Sequence, residues 1–256
     1  MIMVSDKHEK RPRKVRRPNR FNNNVPLVVA ISVALIVFLL VFFYLNKQNE
    51  DYKKIKQYKN KYLVYTKYQG NSTQYPVQVP LVNIKSVAVD AVNKDIDLFV
   101  NDFIKDKKSV VSYEYSINGI ILSVIVKVVD YNSGYAPLPY FRSYNINLST
   151  LEVIADESLL DFYGIDDSGA EEILEDTFHF YHQEIIDNDY YAADECNYEC
   201  FLRNRGINDY LEDIAYYVDD GNLVAFKSFS AYSIFGEEEY FKDDNYKFLL
   251  VEVSKE

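Results

Sequence analysis

Histidine and cysteine are scarce in this chain of 256 residues, with three of the first and two of the second. Too few ligands stand at matching spacing for a structural zinc site. Glycine is sparse as well, at eight, and no G-x-G-x-x-G or P-loop pattern occurs, so no phosphate cradle is written into the chain. There is no G-x-S-x-G and no cysteine near a histidine in sequence, which leaves no nucleophile to nominate. Tryptophan is absent, and the aromatic load falls on 24 tyrosines and 16 phenylalanines. Taken together these absences predict a protein that is not an enzyme and carries no cofactor.

What is present divides by charge. With 48% hydrophobic and 26% charged residues the chain is not a disordered one and has length for one good-sized core or two small ones. Residues 1–25 hold eight Lys/Arg against two acids, net +6. From Val25 to Leu45 runs VPLVVAISVALIVFLLVFFYL, without a charge. At ~1.5 Å per residue that run spans about 31 Å, the thickness of a hydrocarbon core, and predicts one transmembrane helix. Residues 71–256 hold 13 Lys/Arg against 35 Asp/Glu, net −22. Such a domain repels nucleic acid and attracts cationic proteins.

The organisation read from this is a basic cytoplasmic tail over residues 1–24, a transmembrane helix over 25–45, a Lys- and Tyr-rich stalk over 46–60 and an extracytoplasmic domain over 61–256. Lys/Arg counts favour the N-terminus inside, eight before the helix against six after it. The segment after Leu45 has no small-x-small cleavage site, as in an uncleaved signal anchor. The basic tail suits anionic lipid headgroups, and contact with a cytoplasmic regulator is the other reading.

In the outer domain, YLVYTKY and QYPVQVPLVN read as a first strand pair, with Pro76 and Pro80 confining the second to an edge. Ser86 to Lys105 places Val89, Val92, Ile96, Phe99 and Phe103 on one helical face. A hairpin with Asn118-Gly119 at its tip follows, then a third strand from Pro139. Helices are predicted at Asp156 to Tyr163, at Ser168 to Ile186 with Glu171 and Glu172 in its first turn, and near Cys196 to Arg203. A second hairpin turns at Asp220-Gly221, and YKFLLVEV is the last strand. The fold class is α+β, an antiparallel sheet packed against helices, preceded by one transmembrane helix.

Three groups are candidates for chemistry. Tyr131, Asn132, Ser133, Gly134, Tyr135, Pro137, Tyr140 and Arg142 concentrate tyrosine around one loop, and tyrosine's apolar ring and polar tip suit protein or sugar recognition; strand-rich composition explains the same tyrosines without a site. Cys196 and Cys200, four apart, stand within disulfide reach on a helix, and the residues leave a disulfide and two thiols both open. Glu175, His179 and His182 have metal-ligand spacing on one helix, but no H-E-x-x-H is formed and Phe178 and Tyr181 are interleaved, so helix-surface histidines are the default. Acid pairs such as Asp219/Asp220 lack the glycine and glutamate of a calcium loop.

The stretch QYPVQVPLVN before the helix with Val89, Val92, Asn93 and Ile96, the segment YNSGYAPLPYFRSYNINLST before DESLLDF, and YYVDDGNLVAFKSFSAYSI together resemble the extracytoplasmic domain of the RsiV family of bacterial anti-sigma factors. That domain also precedes the catalytic part of PdaC-type peptidoglycan deacetylases. The resemblance spans most of residues 60 to 253 and implies an α+β domain outside a bacterial membrane that binds lysozyme, with a sigma factor released on the cytoplasmic side. It makes lysozyme-like cationic proteins the first partner expected and peptidoglycan the second. It would bring the loops Tyr131 to Arg142 and Ser228 to Glu239 to the partner. The chain departs from the family in its short, proline-interrupted tail and in a central loop without histidine. Two alternatives follow from the same resemblance: an anti-sigma-factor-like signalling protein, and an accessory or degenerate relative of a cell-wall deacetylase.

Overall fold

The computed structural model describes residues 33, 35–42, 63–70, 72–105, 108–131, 137–188, 196–231 and 243–253. The chain divides into two compact units, Met1–Glu50 and Asp51–Glu256. In the first, residues 33 and 35–42 are helical and carry exposed apolar side chains. Among the described residues no helix is long and apolar enough to cross a membrane. Most of the run Val25 to Leu45, and all of the stalk 46–60, lie outside the described residues.

The second unit has nine strands and four α-helices among its described residues. In chain order these are β1 (Val64–Gln69), β2 (Gln78–Val82), α1 (Val87–Ile104), β3 (Ser109–Asn118), β4 (Ile121–Asp130), β5 (Leu138–Asn147), β6 (Glu152–Val153), α2 (Asp156–Tyr163), α3 (Asp167–Asp187), α4 (Tyr198–Arg205), β7 (Ile214–Asp219), β8 (Asn222–Lys227) and β9 (Lys247–Val251). All paired strands are antiparallel, but they make three sheets rather than the one expected: β1-β2, β3-β4-β5-β6 and β7-β8-β9.

The alternation of side chains along β4 explains the plurality. Leu122, Val124, Val126 and Val128 turn to one face and pack with Val89, Val92, Ile96 and Val100 of α1. Ile125 turns to the other and packs with Ala215, Tyr217 and Val224 of the third sheet. That sheet's opposite face, with Tyr216, Val218, Leu223, Ala225, Phe248 and Leu250, meets Leu174, Phe178, Tyr181 and Ile185 of α3. A strand apolar on both faces needs two covers, so the layers run helix, sheet, sheet, helix.

Between the stacked sheets lies a small polar seam. β7 is an edge strand, and the outward polar groups of its backbone would be buried unpaired. Instead Asn145 donates to the Tyr216 carbonyl at 2.9 Å, and Val218 N–H donates to Ser123 Oγ at 3.2 Å. Ser123 in turn donates to Asn145 Oδ1 at 2.6 Å. Ser116 donates to the Val218 carbonyl, and Asn118 reaches the same oxygen at 3.2 Å. Four side chains of β3, β4 and β5 thus stand in for a missing strand.

Helix α1 starts where Ser86 caps it, its Oγ accepting from Ala88 N at 3.2 Å. Its buried stripe is Val89, Val92, Ile96 and Val100, each worth about 1.5–3 kcal/mol of burial. Phe99 and Phe103, expected on that stripe, are only half-buried, because the sheet meets the helix along the i, i+4 row through Val92, Ile96 and Val100. Asn93 fastens the helix to β2, its amide accepting from Val82 N at 2.8 Å and donating to Val82 O at 3.0 Å. α3 begins at Asp167 with Asp166 as N-cap, its carboxylate accepting from Gly169 N at 2.9 Å. Glu171 and Glu172 therefore fall in the second turn, not the first. α4 begins two residues later than expected, after Asn197, whose Oδ1 accepts from Cys200 N at 3.0 Å.

The two hairpin tips differ in kind. In the first, Asn118 pairs with Ile121, so the loop is Gly119-Ile120 and Gly119 takes φ +58°, where a type II′ turn places its glycine. Asn118 itself ends the strand. In the second, Asp220 and Gly221 both have positive φ, 48° and 92°, as a type I′ turn demands.

Candidate recognition surface

Period-two alternation along β5 puts Tyr140, Arg142 and Tyr144 on the face that meets α1. Arg142 Nη1 lies 3.2 Å and 3.1 Å from the two oxygens of Asp95, and its guanidinium stands 4.9 Å over the Phe99 ring. Tyr144 donates to Asp95 Oδ2 at 2.8 Å. Burial, and then the Asp95 carboxylate, push the Tyr144 hydroxyl well above the ordinary tyrosine range. Tyr140 packs against Phe103 with centroids 4.7 Å apart. Arg142 and Asp95 are each 46% exposed, so the pair contributes at most about 1 kcal/mol. The pair holds the guanidinium in place where a partner can reach it.

Of the loop residues singled out in the sequence, Tyr140 and Arg142 are brought together, while Tyr131 stands apart on another neighbour. Its ring packs on Tyr75 at 5.5 Å, and its backbone N–H donates to the Lys108 carbonyl at 3.0 Å. Pro137 is exposed. Asn132, Ser133, Gly134 and Tyr135 lie outside the described residues, as does the stretch 232–239 of the second loop.

Beside this face runs a groove that the sequence reading missed. Two depressions, of about 170 Å³ and 260 Å³, lie between the β1–β2 hairpin and the C-terminal half of α1. Tyr68 and Ile104 line both. Val79 and Val100 floor the first, and Tyr75 and Val77 line the second. Lys67 and Asp97 close one end as an ion pair at 2.6 Å. The available signal was Tyr68 of β1 and Tyr75 of the loop after it, which no helical or strand periodicity singles out.

Acidity is concentrated in the opposite layer. The helices α2 and α3 together hold ten Asp/Glu and no Lys or Arg. In α2 and α3, Glu157, Asp161, Glu171, Glu172, Glu175 and Asp176 are exposed. The mutual repulsion is visible at Asp156, whose carboxyl is pushed up first by burial and then by Glu157 and Asp167. Phe180 projects from this surface at 57% exposure.

The histidines of α3 serve packing. His179 stacks on Tyr198 of α4 with centroids 3.6 Å apart, and lies 3.9 Å from Glu175. His182 bonds instead to the Cys196 carbonyl at 3.1 Å and packs on Phe201. The three candidate ligands do not converge, and among the described residues no group of three metal-binding side chains is assembled. Cys196 and Cys200 are joined as a disulfide with Cα atoms 5.2 Å apart, and Asn204 reaches both sulfurs at 3.6 Å. Tyr198 and Tyr210 share a hydroxyl bond of 2.9 Å, and Phe201 is buried against α3. Lys227, 2% exposed, donates to the Asp209 carbonyl at 3.0 Å and to that of Glu212. Burial lowers its affinity for a proton, while Asp213, Asp209 and Glu212 oppose the change.

No family model matches the sequence, and no curated protein matches it.

Proposed function

We infer that the protein is a non-enzymatic, single-pass membrane protein whose outer domain recognises a cationic protein at the bacterial cell envelope, with lysozyme the first candidate. The observation that carries this reading is the division of charge: net +6 over residues 1–25, none over Val25 to Leu45 and −22 over residues 71–256. A basic end beside an uncharged run is the signature of a tail retained on the cytoplasmic side. A field of −22 draws cations to the domain and raises their encounter rate. The exposed acids of α2 and α3 and the Arg142–Asp95–Phe99 cluster supply a charged surface and an aromatic one on opposite layers. The Cys196–Cys200 disulfide agrees with an oxidising compartment.

The resemblance to RsiV-type domains supports the same reading from the sequence side and supplies lysozyme as the probe. Protease added outside intact cells tests the placement. The expected result is loss of the C-terminal domain with a protected fragment that retains the basic tail. Protection of the C-terminal domain, with cleavage only after the cells are opened, would reverse the orientation and remove the envelope partner.

A further inference from the structure

The groove beside α1 differs in chemistry from the rest of the domain. On a domain of net −22, its lining includes, among the described residues, one anion, Asp97, and that anion is already cancelled by Lys67 at 2.6 Å. A cation therefore gains nothing there that the acidic helices do not offer better, and an anion meets the domain's repulsion. The groove is suited to a neutral ligand.

The lining narrows the class further. Tyr68, 54% exposed, walls both depressions, and Tyr75 walls the second with Tyr131 packed behind it at 5.5 Å. These rings offer flat apolar faces with hydroxyl tips. Val77, Val79, Val100 and Ile104 offer an aliphatic floor. Asn101 and Ser72, both exposed, add a donor–acceptor amide and a hydroxyl along the same track. An acyl chain would leave those polar groups unmatched. The ligand that uses all of them has ring faces to lay on tyrosine, hydroxyls to bond, and a small apolar group beside an amide. The joint volume lies in the ~300–1,000 Å³ range of small-molecule sites, enough for more than one ring.

We propose that this groove binds a neutral N-acetylated oligosaccharide, its sugar rings on Tyr68 and Tyr75, its acetamido methyl on the Val79–Val100–Ile104 floor and its amide on Asn101. The site is separate from the acidic layer inferred to draw a cationic protein. It rests on the outside placement argued above only for where such a glycan is met.

The test is calorimetric titration of the full-length chain, held in a zwitterionic detergent without sugar headgroups, with the trimer of N-acetylglucosamine. Cellotriose, which lacks the acetamido group, and the cationic glucosamine trimer are the comparisons. Saturable binding of the acetylated trimer is expected, unaffected by high salt and about tenfold tighter than that of either comparison. Tyr68→Ala and Asn101→Ala are each expected to weaken it about tenfold, with unchanged circular dichroism, while Tyr65→Ala, exposed on the same strand outside the groove, leaves it intact. Absence of binding, preference for the cationic trimer that salt abolishes, or equal binding by Tyr68→Ala would overturn the proposal. Lysozyme binding by the same preparation is read separately, so loss of one reading leaves the other standing.

Discussion

Replacing Asn145 removes the centre of the seam between the stacked sheets. Its side chain, 2% exposed, accepts from Ser123 at 2.6 Å and donates to the Tyr216 carbonyl at 2.9 Å. In Asn145→Ala both bonds go, at ~1 kcal/mol each, and the Tyr216 carbonyl is left buried without a partner at a further ~1–3 kcal/mol, giving about 3–5 kcal/mol in all. That is a large part of the ~5–15 kcal/mol that holds an ordinary domain folded. Asn145→Leu separates this cause from packing, since it restores the lost volume but leaves the same carbonyl orphaned. Asn145→Asp keeps the shape and turns a carboxylate oxygen toward that carbonyl. Burial would raise its folded pKa above the unfolded value, so the variant is most stable at low pH and loses stability as pH rises through the folded pKa. Urea unfolding checks all three, with lowered midpoints and unchanged slopes expected. An Asn145→Leu protein within ~0.5 kcal/mol of the parent would refute the argument that hydrogen bonding, not packing, fixes β7 against β5.

Reducing the Cys196–Cys200 disulfide, which closes a loop with only three residues between the cysteines, should cost no more than about 2 kcal/mol by loop entropy; a thermal melt with and without reductant measures it, and loss of the whole fold would contradict it. Tyr216 and Tyr217 are pushed up to about 12, chiefly by burial, so their contribution is full below the ordinary tyrosine pKa of ~10 and is lost as pH climbs through 12. Absorbance of tyrosinate should then show a last fraction appearing together with unfolding. Arg142→Ala should lower stability by ~1 kcal/mol or less, because the Asp95 pair is half exposed; if the β5–α1 face meets the partner, the same change weakens lysozyme binding about tenfold or more.

Local signals in the chain were sufficient for most elements. The spacing of Leu174, Phe178, Tyr181 and Ile185 marked the buried face of α3, and all four are buried. Both hairpins stood out through their glycines, although the first turn is one residue further on than the dipeptide Asn118-Gly119 suggested. The stacking of two sheets was hidden, since a short apolar strand such as β4 reads alike whether one face or two are covered. Ser123 and Asn145 looked like ordinary polar strand residues; their value lies in meeting an edge strand 71 to 95 residues away. For the candidate surface, the tyrosine cluster pointed to Tyr140 and Arg142, but Asp95 and Phe99 come from another element. The groove was illegible for the same reason: Tyr68, Tyr75 and Asn101 share no period and meet only when β1 folds over α1.

A titration of the purified chain with lysozyme, at low and then moderate salt and beside a neutral protein of similar size, tests the recognition reading most directly. Saturable binding that weakens with salt but persists at physiological strength is the result the account predicts, because a shaped interface holds on after the ~8 Å screening length has cut off long-range attraction. Binding lost entirely on adding salt, or equal binding of the neutral protein, would contradict it.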